Sequence, residues 1–122
     1  MKTIAVVGMS PNPERPSHFV SKYMINNGFK IIPVNPGQKE ILGLRCYPTL
    51  TDIQYEVDIV HVFRSSVYAT PIIQEAILIK AKAIWLQDGI VSSEGKQMAK
   101  YNNIIYIEND CVLRRHRRRL YE

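Results

Sequence analysis

Short apolar runs alternate along this chain with longer segments in which apolar residues return every three or four positions. Five runs predict β-strands, at residues 3–7, 29–34, 57–62, 83–86 and 104–107. The first, from Thr3 to Val7, is an apolar run that ends at Gly8, as expected of a strand buried on both faces. The longer segments predict helices, so strands and helices are expected to follow one another in turn.

Capping residues and prolines mark the predicted helix boundaries. The first helix should begin at Ser17 and end before Gly28, because glycine is favoured just after a helix C-terminus. Thr70 followed by Pro71 predicts the start of the second helix, with a capping residue and then proline at the first helical position. The later caps are Ser92 or Ser93 for the third helix, with Tyr101 on its buried side, and Asp110 for a short fourth helix.

This alternation predicts an α/β fold with right-handed crossovers that place helices on both faces of a parallel sheet. At 122 residues the chain is about one domain. We expect a single Rossmann-like three-layer domain whose five-stranded parallel sheet has the order 3-2-1-4-5. Pro33, inside the second run, indicates that this strand leaves regular pairing near its end. Ligands of such folds bind at the carboxyl ends of the strands, here after Val7, Val34, Val62 and Leu86.

The loop after the first strand has the chemistry of a phosphate site. A helix N-terminus offers unpaired N–H groups and the positive end of a dipole. Gly8 removes a side chain where the backbone turns, and Arg15 can form paired hydrogen bonds to phosphate oxygens. Ser10 and Ser17 add hydroxyl donors, and three prolines stiffen the loop. The alternative is an ordinary polar turn, because strand-to-helix connections are often polar.

Two common phosphate-binding motifs are absent from the sequence. The dinucleotide fingerprint needs glycines where this chain has Ser10 and Pro13, and an acidic residue after the second strand, where it has Asn35. The G-K-[ST] end of a Walker loop does not occur either. The sequence therefore favours a phosphate compound other than NAD or a nucleotide held by a P-loop.

Several stretches of the chain together carry a family resemblance. They are VVGMSPNPERPS (6–17), IIPVNPG (31–37), EILGLRCYPTL (40–50), VDIVHVFRSS (57–66), AKAIWLQDGIV (81–91) and, more loosely, DC (110–111). In this order they resemble the small CoA-binding proteins, whose Rossmann-like domain is similar to the CoA-binding domain of the succinyl-CoA synthetase alpha subunit. The resemblance implies that the chain binds coenzyme A or an acyl-CoA.

The resemblance also implies which residues contact the ligand. It places the CoA diphosphate against Gly8, Ser10, Arg15 and Ser17, and the nucleotide between the loops that carry Asn35, Pro36, Phe63 and Arg64. Phe63 could cover the adenine, or pack in the core. Arg64 or Lys39 could reach the 3'-phosphate. The chain departs from the family at Asp88, where an apolar residue is expected, and in the density of arginines near its end.

We predict binding without catalysis, because in succinyl-CoA synthetase other domains supply the phosphohistidine and nucleotide chemistry. His61 lies inside a predicted strand, where a hydrogen-bonded core histidine is expected, whereas His18 lies beside the phosphate loop. Cys111 follows the last strand. If it lay near the thiol of bound CoA, a mixed disulfide would be chemically feasible. The alternative is a small buried side chain that closes the sheet.

The net charge of +5 is concentrated near the C-terminus. Five arginines lie between residues 114 and 119, and without them 11 basic residues balance 11 acidic ones. We therefore expect a CoA-binding domain at residues 1–113 and a basic tail at 114–122. The tail supports an alternative hypothesis, a module that binds nucleic acid or another acidic partner. The balanced body does not favour nucleic acid; a solvated helix, or one packed across a homodimer partner, fits better. The expected partners of the protein are a second copy of the chain or a partner enzyme.

Composition narrows the class of protein further. No run approaches the roughly 18 apolar residues of a membrane span, and the start of the chain lacks the features of a secretory signal. A cytoplasmic protein is therefore expected. Cys46 and Cys111 lie far apart in sequence and are predicted to be free thiols. The histidines and cysteines lack the compact spacing of zinc ligands, so no metal site is predicted.

Overall fold

Strands and helices alternate through residues 2–120, the part of the chain that the computed structural model describes. The strands are β1 Thr3–Val7, β2 Lys30–Val34, β3 Glu40–Ile41, β4 Leu44–Arg45, β5 Ile59–Val62, β6 Ala83–Leu86 and β7 Ile105–Ile107. The helices are α1 Pro16–Asn26, α2 Ser66–Leu78, α3 Ser93–Tyr101 and α4 Val112–Leu120, with a short 3-10 turn at Leu50–Asp52. The predicted α/β class with a five-stranded parallel sheet is confirmed.

The strand order of the sheet differs from the prediction. The observed order is β2-β1-β5-β6-β7. The five predicted strands correspond, in chain order, to β1, β2, β5, β6 and β7. In the numbering of the prediction the observed order is therefore 2-1-3-4-5, and the predicted order 3-2-1-4-5 is wrong. The strand at Ile59–Val62 pairs with β1 and β6, and β2 lies at the edge of the sheet. This is the other common arrangement of doubly wound folds, and it too places ligands at the carboxyl ends of the strands.

Pro33 gives the physical reason for this order. The carbonyl of Pro33 accepts a hydrogen bond from Tyr47 N–H at 3.0 Å, and Asn35 N–H donates to Tyr47 O at 2.9 Å. The side of Pro33 that lacks an N–H therefore faces away from β1. Proline is tolerated at such an edge, whereas in the middle of a sheet it would remove a hydrogen bond from the ladder. The predicted order would have placed β2 between two strands.

The sheet separates two hydrophobic layers. On one face, alternate residues such as Ala5 and Val7 pack with α2 and α3, and on the other, Ile4 and Val6 pack with α1 and α4. These four side chains are all buried. Side chains of successive strand residues point to opposite faces, so an uninterrupted apolar run supplies both layers.

Two helix predictions are corrected by the structure. Helix α2 begins at Ser66, not at Thr70, and contains Pro71 in its interior. Pro71 lies on the exposed side of α2, where water can hydrate the carbonyl that loses its N–H partner. Tyr101, expected on the buried side of α3, is 88% exposed. Of the two caps predicted for α3, Ser92 is the one observed, because its side chain accepts a hydrogen bond from Gly95 N–H at 2.9 Å.

Helix α4 runs across the boundary predicted between residues 113 and 114. Its His116 contacts the rings of Tyr23 and Phe29 edge-on, with centroid distances of 5.5 and 5.9 Å. A hydrogen bond of 2.8 Å joins the Tyr23 hydroxyl to His116 Nδ1. Asp110 precedes the helix and accepts a hydrogen bond from Cys111 N–H at 2.8 Å. The basic segment is therefore a helix that packs against the first one.

Candidate functional site

Gly8 lies at the carboxyl end of β1, at the point where the chain leaves the sheet. Its φ of +86° is a conformation that favours glycine. A Cβ atom added here would lie 2.9 Å from Arg64 Cδ. Gly8 thus lets the aliphatic stem of Arg64 lie directly on the backbone of the first loop. The Arg64 guanidinium lies over the ring of Tyr68, 4.5 Å from its centroid.

The loop from Met9 to Arg15 is held by its own polar groups. Ser17 Oγ accepts a hydrogen bond from Ser10 N–H at 2.9 Å, and His18 Nδ1 lies 2.9 Å from Ser10 O. Asn35 Nδ2 donates to Met9 O at 2.9 Å, which ties the loop after β2 to this one. These contacts fix the loop before any ligand arrives, so binding costs less ordering entropy.

Not every backbone amide of this loop is available to an anion. Gly8 N–H donates to Val34 O at 2.9 Å and Ser10 N–H to Ser17 Oγ. Near the start of α1, Pro16 has no N–H, and the Ser17 amide has no hydrogen-bond partner among residues 2–120. The hydroxyls of Ser10 and Ser17 accept bonds from the backbone, which leaves their protons for a ligand.

Two cavities meet at Gly8. One, of about 280 Å³, lies between the loops after β2 and β5 and the start of the 3-10 turn. The other, of about 410 Å³, lies between the first loop and the loops after β5 and β6. The first is lined by residues that include Asn35, Pro36, Thr49, Leu50, Arg64 and Glu75. The second is lined by residues that include Ser10, Arg15, Ser17, Phe63, Gln87 and Asp88.

The structure brings most of the residues named from the sequence to these two cavities, with two differences. Phe63 lines the second cavity together with Ser10 and Arg15, whereas the prediction grouped it with Asn35 at the nucleotide end. Lys39 is exposed and lines neither cavity. Its carbonyl accepts a hydrogen bond from Cys46 N–H at 2.9 Å, so its backbone serves the β3–β4 hairpin.

His61 supports the second cavity from within the sheet. Its ring is buried, packs on Phe63 at a centroid distance of 4.3 Å, and its Nε2 lies 2.9 Å from Gln87 Oε1. Burial lowers the pKa of His61 to about 4. The ring is therefore neutral at physiological pH, and an Nε2–H proton satisfies the Gln87 oxygen. The expected role as a hydrogen-bonded core histidine fits this geometry, and the contact orients Gln87, which lines the cavity.

The sequence reasoning missed several residues of the first cavity. Thr49 is the cap of the 3-10 turn, and its hydroxyl and amide both contact Asp52 Oδ2, at 2.7 and 3.1 Å. The spacing Thr49-x-x-Asp52 was the available signal, because it is a capping box that fixes a turn. Glu75 comes from the middle of α2, and no local pattern marks it as a site residue.

The two departures from the family pattern, Asp88 and the arginines, contact one another. Arg114 donates two hydrogen bonds to Asp88, at 2.9 and 3.0 Å, and a third to Asp110 at 2.9 Å. Arg115 Nε donates to Asp110 at 2.6 Å. The hydrogen bonds from Arg114 lower the pKa of the Asp88 carboxyl. Two of the five arginines therefore hold α4 to the loops after β6 and β7.

The cysteines are buried free thiols. Cys111 packs in the layer formed with α1 and α4, and it lines neither cavity at Gly8. Burial raises the pKa of the Cys46 thiol. Within residues 2–120, no helix combines the length and the apolar content that crossing a bilayer requires.

Comparison with known proteins places these cavities in a family context. The family model of the CoA binding domain matches residues 2–117. The chain is 41% identical over 111 residues to the uncharacterized protein YneT of Bacillus subtilis, covering 91% of this chain and 82% of that one. It is 32% identical over 102 residues to an ADP-forming acetate–CoA ligase II of Archaeoglobus fulgidus, covering 82% of this chain but 15% of the ligase.

The fold recurs in solved structures. A hypothetical protein from Pyrococcus horikoshii superposes with a TM-score of 0.93 at 36% identity, over 96% of this chain and 82% of that chain. These likenesses confirm the resemblance to small CoA-binding domains that the sequence predicted. They also show that the chain corresponds to a minor part of the ligase.

Proposed function

Because the chain belongs to the family of CoA binding domains, we propose that it binds coenzyme A or an acyl-CoA across the two cavities that meet at Gly8. The diphosphate lies at Gly8, between the cavities. The nucleotide occupies the smaller cavity and the pantetheine arm the larger one. The observation that carries this proposal is the position of Gly8, where two concave sites and two arginines converge on a preformed loop.

Charge and hydrogen bonding support this orientation. Arg15 lines the larger cavity and Arg64 the smaller one, so the diphosphate and the 3'-phosphate of the nucleotide each have a guanidinium that can form paired hydrogen bonds. The Ser17 amide and the hydroxyls of Ser10 and Ser17 supply further donors at the start of α1. Asn35, held by Met9 O, adds no negative charge beside the 3'-phosphate. Glu75 offers an acceptor for the amino group of adenine.

A thermal-shift comparison of CoA, acetyl-CoA, dephospho-CoA, NAD and ATP tests the proposal. At about 100 times its dissociation constant, a ligand adds roughly 2.7 kcal/mol to the free energy of unfolding. This raises the melting temperature by several degrees for a domain of this size. We expect shifts with CoA and acetyl-CoA that exceed those with NAD and ATP. No shift with any CoA compound would refute the proposal.

Arg64 is assigned to the 3'-phosphate, and a matched variant tests this assignment. In Arg64→Ala the affinity difference between CoA and dephospho-CoA should shrink by about tenfold, because a charged hydrogen bond contributes about 1.5 kcal/mol or more. Arg45→Ala is the control. Its guanidinium lies 4.8 Å from the Tyr47 ring centroid, a contact like that of Arg64, but it lines neither cavity. An unchanged difference in Arg64→Ala would remove this arginine from the phosphate site.

A further inference from the structure

One part of the sheet is incompletely covered although two of its three strands, β5 and β6, are inner strands. Ile59, Trp85 and Ile107 lie on the same face of β5, β6 and β7, and each is only half-buried. Trp85 is in direct register with Ile107, and Ile59 belongs to the strand on the other side. In a three-layer fold this face is normally covered by helices. Here the covering elements leave a space.

Helix α4 is the reason for this space. It has nine residues, and after Val112 and Leu113 its sequence is dominated by arginines. It therefore covers the sheet with its first turn, whereas His116 contacts Tyr23 of α1. Between α1, α4 and the three strands lies a cavity of about 510 Å³, which we call the α1–α4 groove. It is larger than either cavity at Gly8.

The lining of the α1–α4 groove combines an apolar floor with cations at its rim. Met24, Phe29 and Val112 complete the floor around the three strand residues. The cations are Lys2, Arg115 and Arg119. Among residues 2–120, Lys2 and Arg119 form no ion pair with a carboxylate.

The acidic residue of the groove does not cancel this charge. Asp110 lines the groove, but its carboxylate already accepts hydrogen bonds from Arg114, Arg115 and the Cys111 amide, at 2.9, 2.6 and 2.8 Å. Trp85 Nε1–H donates to Asp110 O at 2.8 Å, so the indole is fixed at this end of the groove. The groove is thus an apolar trough whose unpaired charge is positive.

We propose that the α1–α4 groove binds a small carboxylate with an apolar body, of the size of a medium-chain alkanoic acid. The floor crosses three strands, so its length is roughly 10 Å at about 4.8 Å per strand spacing. The apolar chain lies along Ile59, Trp85 and Ile107, and the carboxylate contacts Arg119 or Lys2. This site is separate from the cavities at Gly8 and does not depend on the proposed CoA function.

The shape of the groove selects a small molecule over a macromolecule. Small-molecule sites are concave, with volumes of about 300–1,000 Å³ and mostly apolar linings, and the groove has these properties. A stable protein interface buries about 800 Å² on each partner, which a trough of this size does not offer. An apolar floor also gives no advantage to nucleic acid, whose phosphates need a broad basic surface.

Trp85 provides a direct measurement, because it is the single tryptophan of the chain and lines the groove. Bromine quenches indole fluorescence on contact, so titration with 10-bromodecanoate reports occupancy. We expect saturable quenching that decanoate competes away. Decyltrimethylammonium should compete at least about tenfold less well, because its charge is opposite. From hexanoate to decanoate, each added methylene should strengthen binding about threefold to fourfold.

Two neighbouring arginines of α4 give a matched pair of variants. Arg119 lines the groove, whereas Arg118 is exposed and does not. Arg119→Glu should weaken decanoate binding at least about fivefold, because it replaces an attraction with a repulsion. Arg118→Glu makes the same change in net charge and should alter the affinity less than about twofold at moderate salt. Equal losses in the two variants would show a non-specific charge effect and overturn the proposal.

Other outcomes would also overturn it. Absence of saturable quenching at concentrations below micelle formation would show that the groove takes no such ligand. Competition of CoA with 10-bromodecanoate would place the acid in the cavities at Gly8, whereas undiminished quenching in saturating CoA supports a separate site. If sedimentation shows a dimer and quenching is confined to the monomer, a second copy of the chain, not a carboxylate, is the natural occupant.

Discussion

Gly8 has two roles at the scale of a single residue: it adopts a positive φ, and it makes room for Arg64. Gly8→Ala should therefore lower the free energy of unfolding by about 2–4 kcal/mol, from the left-handed backbone and from the contact with Arg64. It should also weaken CoA binding, because Arg64 must move. Urea denaturation and CoA titration of the same preparation measure the two effects.

Gly28→Ala is the control for the first of these roles. Gly28 has a similar φ of +90°, but an added Cβ would meet nothing within 4 Å. This variant should lose about 1–2 kcal/mol of stability from the backbone alone and keep its affinity for CoA. If both variants lose affinity equally, the contact between Gly8 and Arg64 has no part in binding.

His61 makes stability depend on pH. The unfolded chain takes up the imidazole proton near pH 6.5, whereas in the folded protein burial lowers the pKa to about 4. Between these values the unfolded state binds more protons. The contribution of His61 to the free energy of unfolding therefore rises with pH from about 4 to 6.5 and is constant above that range. The contribution is about 3 kcal/mol, at about 1.36 kcal/mol per pKa unit. Chemical denaturation across this pH range measures it.

His61→Gln separates this effect from that of the carboxyl groups, which also titrate at low pH. Glutamine keeps a donor for Gln87 Oε1 but has no proton to gain. The variant should lose less stability than the parent protein between pH 6.5 and 4. Parallel pH profiles for the two proteins would mean that His61 does not resist protonation in the folded state.

At the scale of the elements, Gly95 controls how closely α2 and α3 pack. An added Cβ would overlap Ile73 Cδ1 of α2 and lie 2.8 Å from Ser92 Oγ. Ile73 is fully buried and cannot easily move. Alanine in a helix gains about 1 kcal/mol over glycine, but overpacking a core costs about 1–3 kcal/mol. Gly95→Ala should therefore destabilise the protein by up to about 2 kcal/mol, which thermal unfolding measures.

A double-mutant cycle identifies the cause. Ile73→Val removes the methyl group that the new Cβ would meet, at a cost of about 0.5–1.5 kcal/mol on its own. The double variant should lose less free energy of unfolding than the sum of the losses in the two single variants. Additive losses would instead attribute the effect to the Ser92 cap.

The helices also show where sequence patterns are sufficient. The cap of α3 was narrowed to Ser92 or Ser93, because a cap accepts a hydrogen bond from an amide two or three residues away, a local interaction that Ser92 makes with Gly95. The start of α2 was misplaced because Pro71 is tolerated inside the helix on its exposed side, and that tolerance depends on which side faces the core. The packing of α4 through His116 depends on Tyr23, which is distant in sequence. Contacts between residues so distant in sequence produce no periodic pattern of apolar and polar positions from which they could be predicted.

For the whole molecule, the sequence predicted the fold class, and eight of the nine site residues named from it line the two cavities. The carboxyl ends of parallel strands meet at one edge of the sheet, whatever the order of the strands. The division of residues between cavities was less predictable. Phe63 lines the second cavity because its ring packs on His61 of the strand that precedes it. The Asp88–Arg114 pair joins distant parts of the chain.

Strand order itself makes a prediction for the whole sheet. Because β5 pairs with β1 and β6, every amide from Ile59 to Val62 should exchange slowly with solvent deuterium. In the order 3-2-1-4-5, β5 would be an edge strand, and alternate amides would face water. Strand β7 is the internal control, because it pairs with β6 alone.

Amide exchange followed by NMR distinguishes the two orders residue by residue. In β7, the amides that face away from β6 should exchange at least about tenfold faster than those that face it, because edge amides open locally without global unfolding. In β5 no such alternation is expected. If β5 alternates as β7 does, the strand order described above is incorrect. The edge position of Pro33 in β2 would then lose its explanation, because β2 would lie between two strands and the proline would interrupt a ladder.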